Sequence, residues 1–337
     1  MRTARSARLG RRLLFSLLPM IVVLVSAEAG LRAAGWPPRP SSFDHNSVYW
    51  VLEPGLDRAS TPHPEESRAF HMSTDRRGLR APLHEGEKPP GVLRVLALGC
   101  STTLGWGVED DESYPAVLEK LAIAGGHAQV QVLNGGQPGY TSFQGLWLWD
   151  TTLRATAPDV VLIGYVVQDA RKAAYTDRSQ AVLMADNRYL KEHLLYRSRV
   201  YLGLRALLGE VQVRAKEREA GAGPDDAHGV YRVPPEEYRD NLEALVARAR
   251  DVGAVPVLFG YPLEVEGYTS AHRAVAAEVA AATGALRLDL SAPMAEAAAR
   301  ETLYFERDRG HANAAGNALI AAWLYDYLSG QGLLDAR

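Results

Sequence analysis

A hydroxyl that attacks needs a base beside it, and near neutral pH that base is most often an imidazole steadied by a carboxylate. The chain places one serine where such use is possible. Ser101, in Val92–Trp106 (VLRVLALGCSTTLGW), follows an apolar run and a glycine. The same position suits a residue that merely caps the next helix. Of the nine histidines, His311 alone lies between a strand–loop unit and a well-formed helical pattern, and Asp308 is three residues ahead of it. In a turn of that length the carboxylate can reach the ring, set its tautomer and stabilise its cation. A plain loop ion pair has the same spacing. Asp225 and His228 repeat it, but in a Gly- and Pro-containing loop with no regular element to hold them. Two other stretches could offer donors to a developing negative charge. Asn134–Ser142 (NGGQPGYTS) has three glycines that let backbone N–H groups come close to a ligand, or that simply turn the chain. Gln168-Asp169 end another apolar run, where an amide and an acid can face a site or cap a helix.

These residues can meet only if the intervening elements bring them to one edge. Short apolar runs at Val92–Leu98, Val130–Leu133, Asp159–Val167, Val255–Phe259 and Leu286–Leu290 read as strands. Helical patterns follow them at Ala116 to Ile123, Ser142 to Thr156, Glu236 to Val252, Ser270 to Ala282 and Ala312 to Leu328. Strands alternating with helices predict an α/β domain, and strands apolar on both faces predict a buried parallel sheet. In such sheets ligands gather beyond the carboxyl ends of the strands, where Ser101, the glycine loop and Gln168 all fall.

The rest of the chain bounds the reading. Its 337 residues carry a formal charge of −3, which gives no bulk attraction to nucleic acid. A single cysteine, Cys100, excludes an internal disulfide and a cysteine-based zinc site. No metal, nucleotide or cofactor motif stands out. Residues 1–35 open with five arginines, then Leu13 to Ala27 is apolar apart from Ser16 and Ser26. That layout predicts a signal peptide or signal anchor, hence an exported protein of the cell envelope with a membrane helix at its N-terminus. The apolar run is shorter than the roughly 20 residues of a comfortable span. Residues 36–91 contain nine prolines with Trp36, Tyr49, Trp50 and Phe70, and predict an extended arm laid over the main domain. His45, His63, His71 and His84 lie there without metal-ligand spacing. About 170–232 reads as an insertion, with a charged loop from Lys216 to Asp226, that would form a lid or rim.

Taken in order, the signals are a serine ending strand one, a glycine loop after strand two, an amide after strand three, and Asp-x-x-His before the last helix. That order resembles the SGNH (GDSL-type) hydrolase superfamily over roughly Leu93 to Leu328. The arm, with Gly78-Leu79-Arg80 ahead of the first strand, is similar to members with an N-terminal anchor. The resemblance implies a three-layer α/β/α, flavodoxin-like fold over residues 92–332. It implies Ser101 as nucleophile, Asp308 and His311 completing a triad, and an oxyanion hole from the N–H groups of Ser101 and Gly139 with the Gln168 amide. Two blocks depart from the family. Gly99-Cys100-Ser101 has cysteine where an aspartate usually braces the loop, and Val166-Val167-Gln168-Asp169 has glutamine for asparagine. Cys100 is poorly suited to that hydrogen bonding. As a thiol it is also an alternative nucleophile. Gln168 keeps the amide but adds one carbon, about 1.5 Å of reach.

The expected function is a serine esterase acting on O-acyl esters of a carbohydrate or lipid, with no cofactor and no metal. The alternatives are an O-acetyltransferase on envelope glycans, in which a sugar hydroxyl replaces water, and a catalytically silent envelope binding protein on the same fold.

Overall fold

The computed structural model describes residues 2–36, 48–62, 66, 68–185, 195–204, 207, 229–264 and 267–335. His45, His63, the Lys216–Asp226 loop and the Asp225 to His228 spacing lie outside them. The chain divides into two compact units. One comprises residues 1–46 with 182–226, the other 47–181 with 227–337.

In chain order the elements are α1 (Arg2–Ala33), β1 (Asp57–Pro62), β2 (Ala69–Ser73), β3 (Leu93–Gly99), α2 (Ser101–Leu104), α3 (Tyr114–Ala124), β4 (Val130–Gly136), α4 (Ser142–Thr151), β5 (Val160–Gly164), β6 (Lys172–Ala173), α5 (Asp177–Ala185), β7 (Val230–Tyr231), α6 (Pro235–Asp251), β8 (Val255–Gly260), α7 (Ser270–Thr283), β9 (Leu286–Asp289), α8 (Ser291–Ala298) and α9 (Ala314–Gly330). The main sheet is parallel throughout, in the order β4-β3-β5-β8-β9. The winding reverses between β3 and β5, and this switch point opens a crevice beyond their carboxyl ends.

Alternation along the strands builds the three layers. Val95 and Ala97 of β3, with Val132, Leu162 and Val257, pack against Tyr114 and Leu118 of α3 and Ile320 and Leu324 of α9. Leu96 and Leu98, with Leu133, Val161, Ile163 and Leu258, pack on the other face against Leu148 and Trp149 of α4, Leu242 and Leu245 of α6, and Val279 of α7. Every residue of β3 is buried. Each such aliphatic side chain contributes roughly 1.5–3 kcal/mol by leaving water, so the strand that delivers Ser101 is firmly anchored.

Some boundaries differ from expectation. β4 runs on through Asn134-Gly135-Gly136, read from sequence as loop, because Gly99 pairs with Gly136. A Cβ on Gly136 would collide with the backbone of Leu104. β5 stops at Gly164, so Tyr165-Val166-Val167 belong to the turn. The helix predicted to reach Thr156 gives way to a 3-10 turn at Leu153–Thr156, closed by left-handed Ala157 at φ 49°. α9 starts at Ala314, since Asn313 Oδ1 accepts the Gly316 N–H and caps it.

Residues 48–91 lie in the same unit as the sheet. They contain the antiparallel pair β1–β2 and much chain of no regular structure. The insertion is zipped at its base by β6 and β7, with Lys172 opposite Tyr231. In the other unit, the Glu28 carboxylate of α1 accepts the N–H groups of Arg199 and Val200 at 3.0 Å each. Arg32 donates to the Arg197 carbonyl at 2.9 Å. The N-terminal membrane helix expected over residues 1–35 is not shown. A helix is there, with Leu18 and Met20 to Val25 exposed, but no helix among the described residues is long and apolar enough to cross a membrane.

Candidate active site

Ser101 leaves the end of β3 as the first residue of α2 and is 8% exposed. His311 approaches it from the chain ahead of α9. Its Nε2 lies 2.8 Å from Ser101 Oγ, and its Nδ1 lies 2.7 Å from Asp308 Oδ2. A carboxylate only accepts, so Nδ1–H donates to Asp308, and bare Nε2 accepts the Ser101 hydroxyl proton. Residues 210 apart in sequence thus form one hydrogen-bonded row. The Asp308 side chain is 9% exposed and that of His311 is 20% exposed, so the ring is reachable while its carboxylate is shielded.

The loop carrying the pair is fixed from several sides. Asn313 Nδ2 donates to the carbonyls of Thr302 (2.8 Å) and Tyr304 (3.2 Å). Asn317 Nδ2 donates to Ala312 O at 2.8 Å, and the Ala312 N–H reaches the Tyr261 hydroxyl at 3.2 Å. From the arm, Glu66 Oε1 accepts the N–H groups of Arg307 (2.7 Å) and Asp308 (3.0 Å).

Cys100 shows how the nucleophile loop is held without the usual aspartate. Its side chain points into the core with Val95, Tyr114 and Leu118, 1% exposed, with Sγ 3.2 Å from Thr102 Oγ1. Burial pushes the thiol pKa up, away from the thiolate a cysteine nucleophile needs. Bracing comes instead from Arg80, fully buried in the arm. It donates to the carbonyls of Leu104 (2.8 Å), Gly105 (2.5 Å), Val108 (2.6 Å) and His71 (3.0 Å), and to Asp110 Oδ1 (2.9 Å). Asn134 Nδ2 adds a donor to Leu104 O at 3.1 Å. Desolvation lowers the Arg80 pKa, opposed by Asp110. His71 bridges Asp110 (2.8 Å) and Asp57 (2.9 Å), and those hydrogen bonds raise its pKa.

Gly139 and Gln168, the other expected oxyanion residues, lie in the loops that follow β4 and β5. Gly139 has φ +72°, a left-handed conformation that only glycine adopts without strain. Its loop is pinned to the arm: Gln137 Oε1 accepts the Leu52 N–H and its Nε2 donates to Gly78 O, at 2.9 and 3.0 Å. Tyr140 donates to the Trp50 carbonyl, and Gln144 Nε2 to Val48 O at 2.6 Å. Gln168 is half-buried, and its Oε1 accepts from Arg232 Nη1 at 3.1 Å; the same nitrogen donates to Gly139 O at 2.8 Å. Asp169, the neighbour of Gln168, accepts the N–H and hydroxyl of Ser142 at 2.8 and 2.5 Å and ties the start of α4 to the end of β5. Desolvation pushes its carboxyl up to about 7, against the pull of the two Ser142 hydrogen bonds. Among the described residues no cluster of His, Cys, Asp and Glu is placed to hold a metal ion.

Arg232, Asp177, Gln144 and Glu66 were not singled out from the sequence, and Arg80 entered only within Gly-Leu-Arg. Spacing does not mark them in these roles: Arg80 reaches Leu104 across 24 residues, Arg232 reaches Gly139 across 93 and Glu66 reaches Asp308 across 242.

Comparison with known proteins follows the geometry. A family model for the GDSL-like lipase/acylhydrolase family matches residues 97–319. Comparison with curated proteins finds no match. Among solved structures the chain is similar to a lipase/acylhydrolase from Enterococcus faecalis, 19% identical over 71% of this chain and 97% of that one, TM-score 0.46. It is similar to a psychrotrophic esterase from Pseudoalteromonas sp., 18% identical over 71% and 97%, TM-score 0.46. It is also similar to an acetyl-xylooligosaccharide esterase from Geobacillus, 18% identical over 72% and 95%, TM-score 0.45. The family match spans well over half of the chain and includes Ser101, Gly139, Gln168, Asp308 and His311, and the protein therefore belongs to the GDSL-like lipase/acylhydrolase family of ester-hydrolysing enzymes.

Proposed function

We propose that the protein is an exported serine esterase that cleaves O-acyl esters of an envelope carbohydrate or lipid through an acyl-enzyme on Ser101. The observation that carries this reading is the unbroken row Asp308–His311–Ser101, with bonds of 2.7 and 2.8 Å at one sheet edge. His311 Nε2 takes the hydroxyl proton as Oγ adds to the ester carbonyl carbon. The carbonyl oxygen becomes an oxyanion, received by the N–H groups of Ser101 and Gly139 and by the Gln168 amide. The intermediate collapses, the C–O bond to the leaving alkoxide breaks, and imidazolium returns the proton to it. An alcohol departs and Ser101 carries the acyl group. Water then attacks with His311 again as base, the carboxylic acid is released and Ser101 regains its proton. Asp308 keeps its charge throughout and steadies the imidazolium. The silent binding protein is disfavoured because a binding surface has no need of a serine hydrogen-bonded to a carboxylate-held imidazole.

Full-length protein is assayed with p-nitrophenyl acetate beside Ser101→Ala. Release of nitrophenol is expected to fall to the buffer rate in the variant, and an alkylphosphonate is expected to add one mass increment to wild type alone. Equal turnover by the two proteins would overturn the reading. Export follows from the arginine-rich head and apolar run of residues 1–35. Cell fractionation should find the protein with the envelope, and recovery in the cytosol would refute that part.

A further inference from the structure

We infer that Arg232, brought in by the base of the insertion, is a positioning residue for the oxyanion half of the site. It compensates for glutamine standing where the family has asparagine. The inference rests on the esterase reading above.

The insertion leaves the sheet after Asp169 and returns at Val233, and a short ladder closes its base. Val233 N–H donates to Asp169 O (3.2 Å), Arg232 N–H to Arg171 O (2.9 Å) and Asp177 N–H to Arg232 O (2.8 Å), beside the β6–β7 pair. From this ladder the Arg232 guanidinium spends all five N–H donors on fixed partners. Nε and Nη2 fork onto the two oxygens of Asp177, at 3.0 and 2.9 Å. Nη2 also reaches Gln144 Oε1 at 3.3 Å, and Nη1 serves Gly139 O and Gln168 Oε1. Asp177 is 2% exposed and accepts the Thr141 hydroxyl at 2.7 Å, so the fork itself is anchored. Planar bidentate pairing sets direction as well as distance.

Two consequences follow for the oxyanion donors. A cation at Gln168 Oε1 decides which end of the amide is the donor end, because Nε2 cannot turn toward a guanidinium that has only N–H groups to offer. Glutamine has one more rotatable bond than asparagine, and the cation removes that freedom. At Gly139 the carbonyl is held from one side while φ is left-handed, which sets the direction of the N–H on the other side of its Cα. Donors serve an oxyanion only within about 2.7–3.1 Å, and loss of one lowers turnover by ~10²–10³. A positioning residue that loosens such a donor should therefore act on kcat and spare KM.

The experiment is a double-mutant cycle of Arg232 and Gln168 in the full-length protein, read as kcat and KM for p-nitrophenyl acetate, with Ser101→Ala as reference. Arg232→Ala is expected to lower kcat by roughly 10- to 100-fold with KM within about 2-fold, and Arg232→Lys, which keeps charge but not the fork, to fall between. In the Gln168→Ala background, Arg232→Ala should lower kcat by a smaller factor than in wild type, since one of the two groups it holds is gone and only Gly139 remains. An equal fall in both backgrounds overturns the inference, as does a lower melting temperature with unchanged kcat. If Arg232→Ala fails to fold, the cycle is run with Arg232→Lys under the same criteria. Wild-type activity that Ser101→Ala leaves intact would instead refute the esterase reading on which the inference rests.

Discussion

The Asp308–His311–Ser101 row and the Gly139–Gln168 pair are held by different means. In the Asp308–His311–Ser101 row, the side-chain atoms touch one another and hang from a fully buried strand and from the capped start of α9. In the Gly139–Gln168 pair, the two groups are joined through a third residue, Arg232, from a segment that leaves the sheet and returns. Proton transfer needs direct contact between its partners, whereas an oxyanion needs only donors pointed at a shared place in space. A direct row tolerates little change, and a pointed pair can be held by whatever neighbour is available. On the inference above, Arg232 supplies the constraint that lets glutamine serve where the family has asparagine.

That contrast sets an order of expected effects. His311→Ala should lower kcat/KM for p-nitrophenyl acetate by about 10³-fold or more, and Asp308→Asn by about 10²–10⁴-fold through loss of the correct tautomer. Steady-state kinetics decide it, and a fall smaller than that of Gln168→Ala would reverse the ranking of the row and the pair. Gln168→Ala should follow, with kcat down by about 10²-fold and KM little changed.

The stability effects come next. Arg80→Ala leaves Asp110 and four carbonyls without their shared donor and should destabilise the chain by about 3–5 kcal/mol, read from urea melts. A loss below about 1 kcal/mol would mean that the nucleophile loop holds itself. Asp169 makes a pH-dependent contribution. Its folded carboxyl keeps its proton up to about pH 7, while an exposed one releases it near 3.8. Between those limits the folded state holds the extra proton, so stability falls as pH rises from about 4 to 7. Asp169→Asn should remove that slope and gain on wild type between pH 5 and pH 8, by an amount on the order of a few kcal/mol. Parallel slopes for the two proteins in urea melts would contradict it. The smallest effect is expected for Cys100→Ala, with activity within about 3-fold and wild type resistant to iodoacetamide, because the thiol is buried and its pKa is raised. Rapid alkylation with loss of activity would move the nucleophile from Ser101 to Cys100.

Legibility in the sequence followed the range of the interaction. The strand before Ser101 was read to within a residue or two, since seven consecutive buried positions leave a local apolar signature. At the end of β4, Gly135 and Gly136 have the composition of turn residues. They are strand residues whose missing Cβ lets Ala97 O and the backbone of α2 come close, a fact about neighbours rather than about the segment. Asp308 and His311 were paired by spacing alone because they are three residues apart. Arg80 and Arg232 were not recognisable by any such rule. An arginine that crosses 24 residues to reach Leu104 O, or 93 to reach Gly139 O, looks, in sequence, like any other arginine.

What the amino-acid order determined by itself was local: which runs are apolar enough to be strands, where glycines allow a turn, and that Ser101 and the Asp308–His311 pair stand at element ends. Tertiary structure alone decided that residues 101 and 311 lie within 2.8 Å, that Cys100 turns inward, and that two arginines from outside the motif blocks hold the nucleophile loop and the Gly139–Gln168 pair. The physical reason is that periodicity and turn chemistry are properties of neighbouring residues. A guanidinium finds its acceptors only after the sheet has assembled and the alternative partner, water, has been excluded.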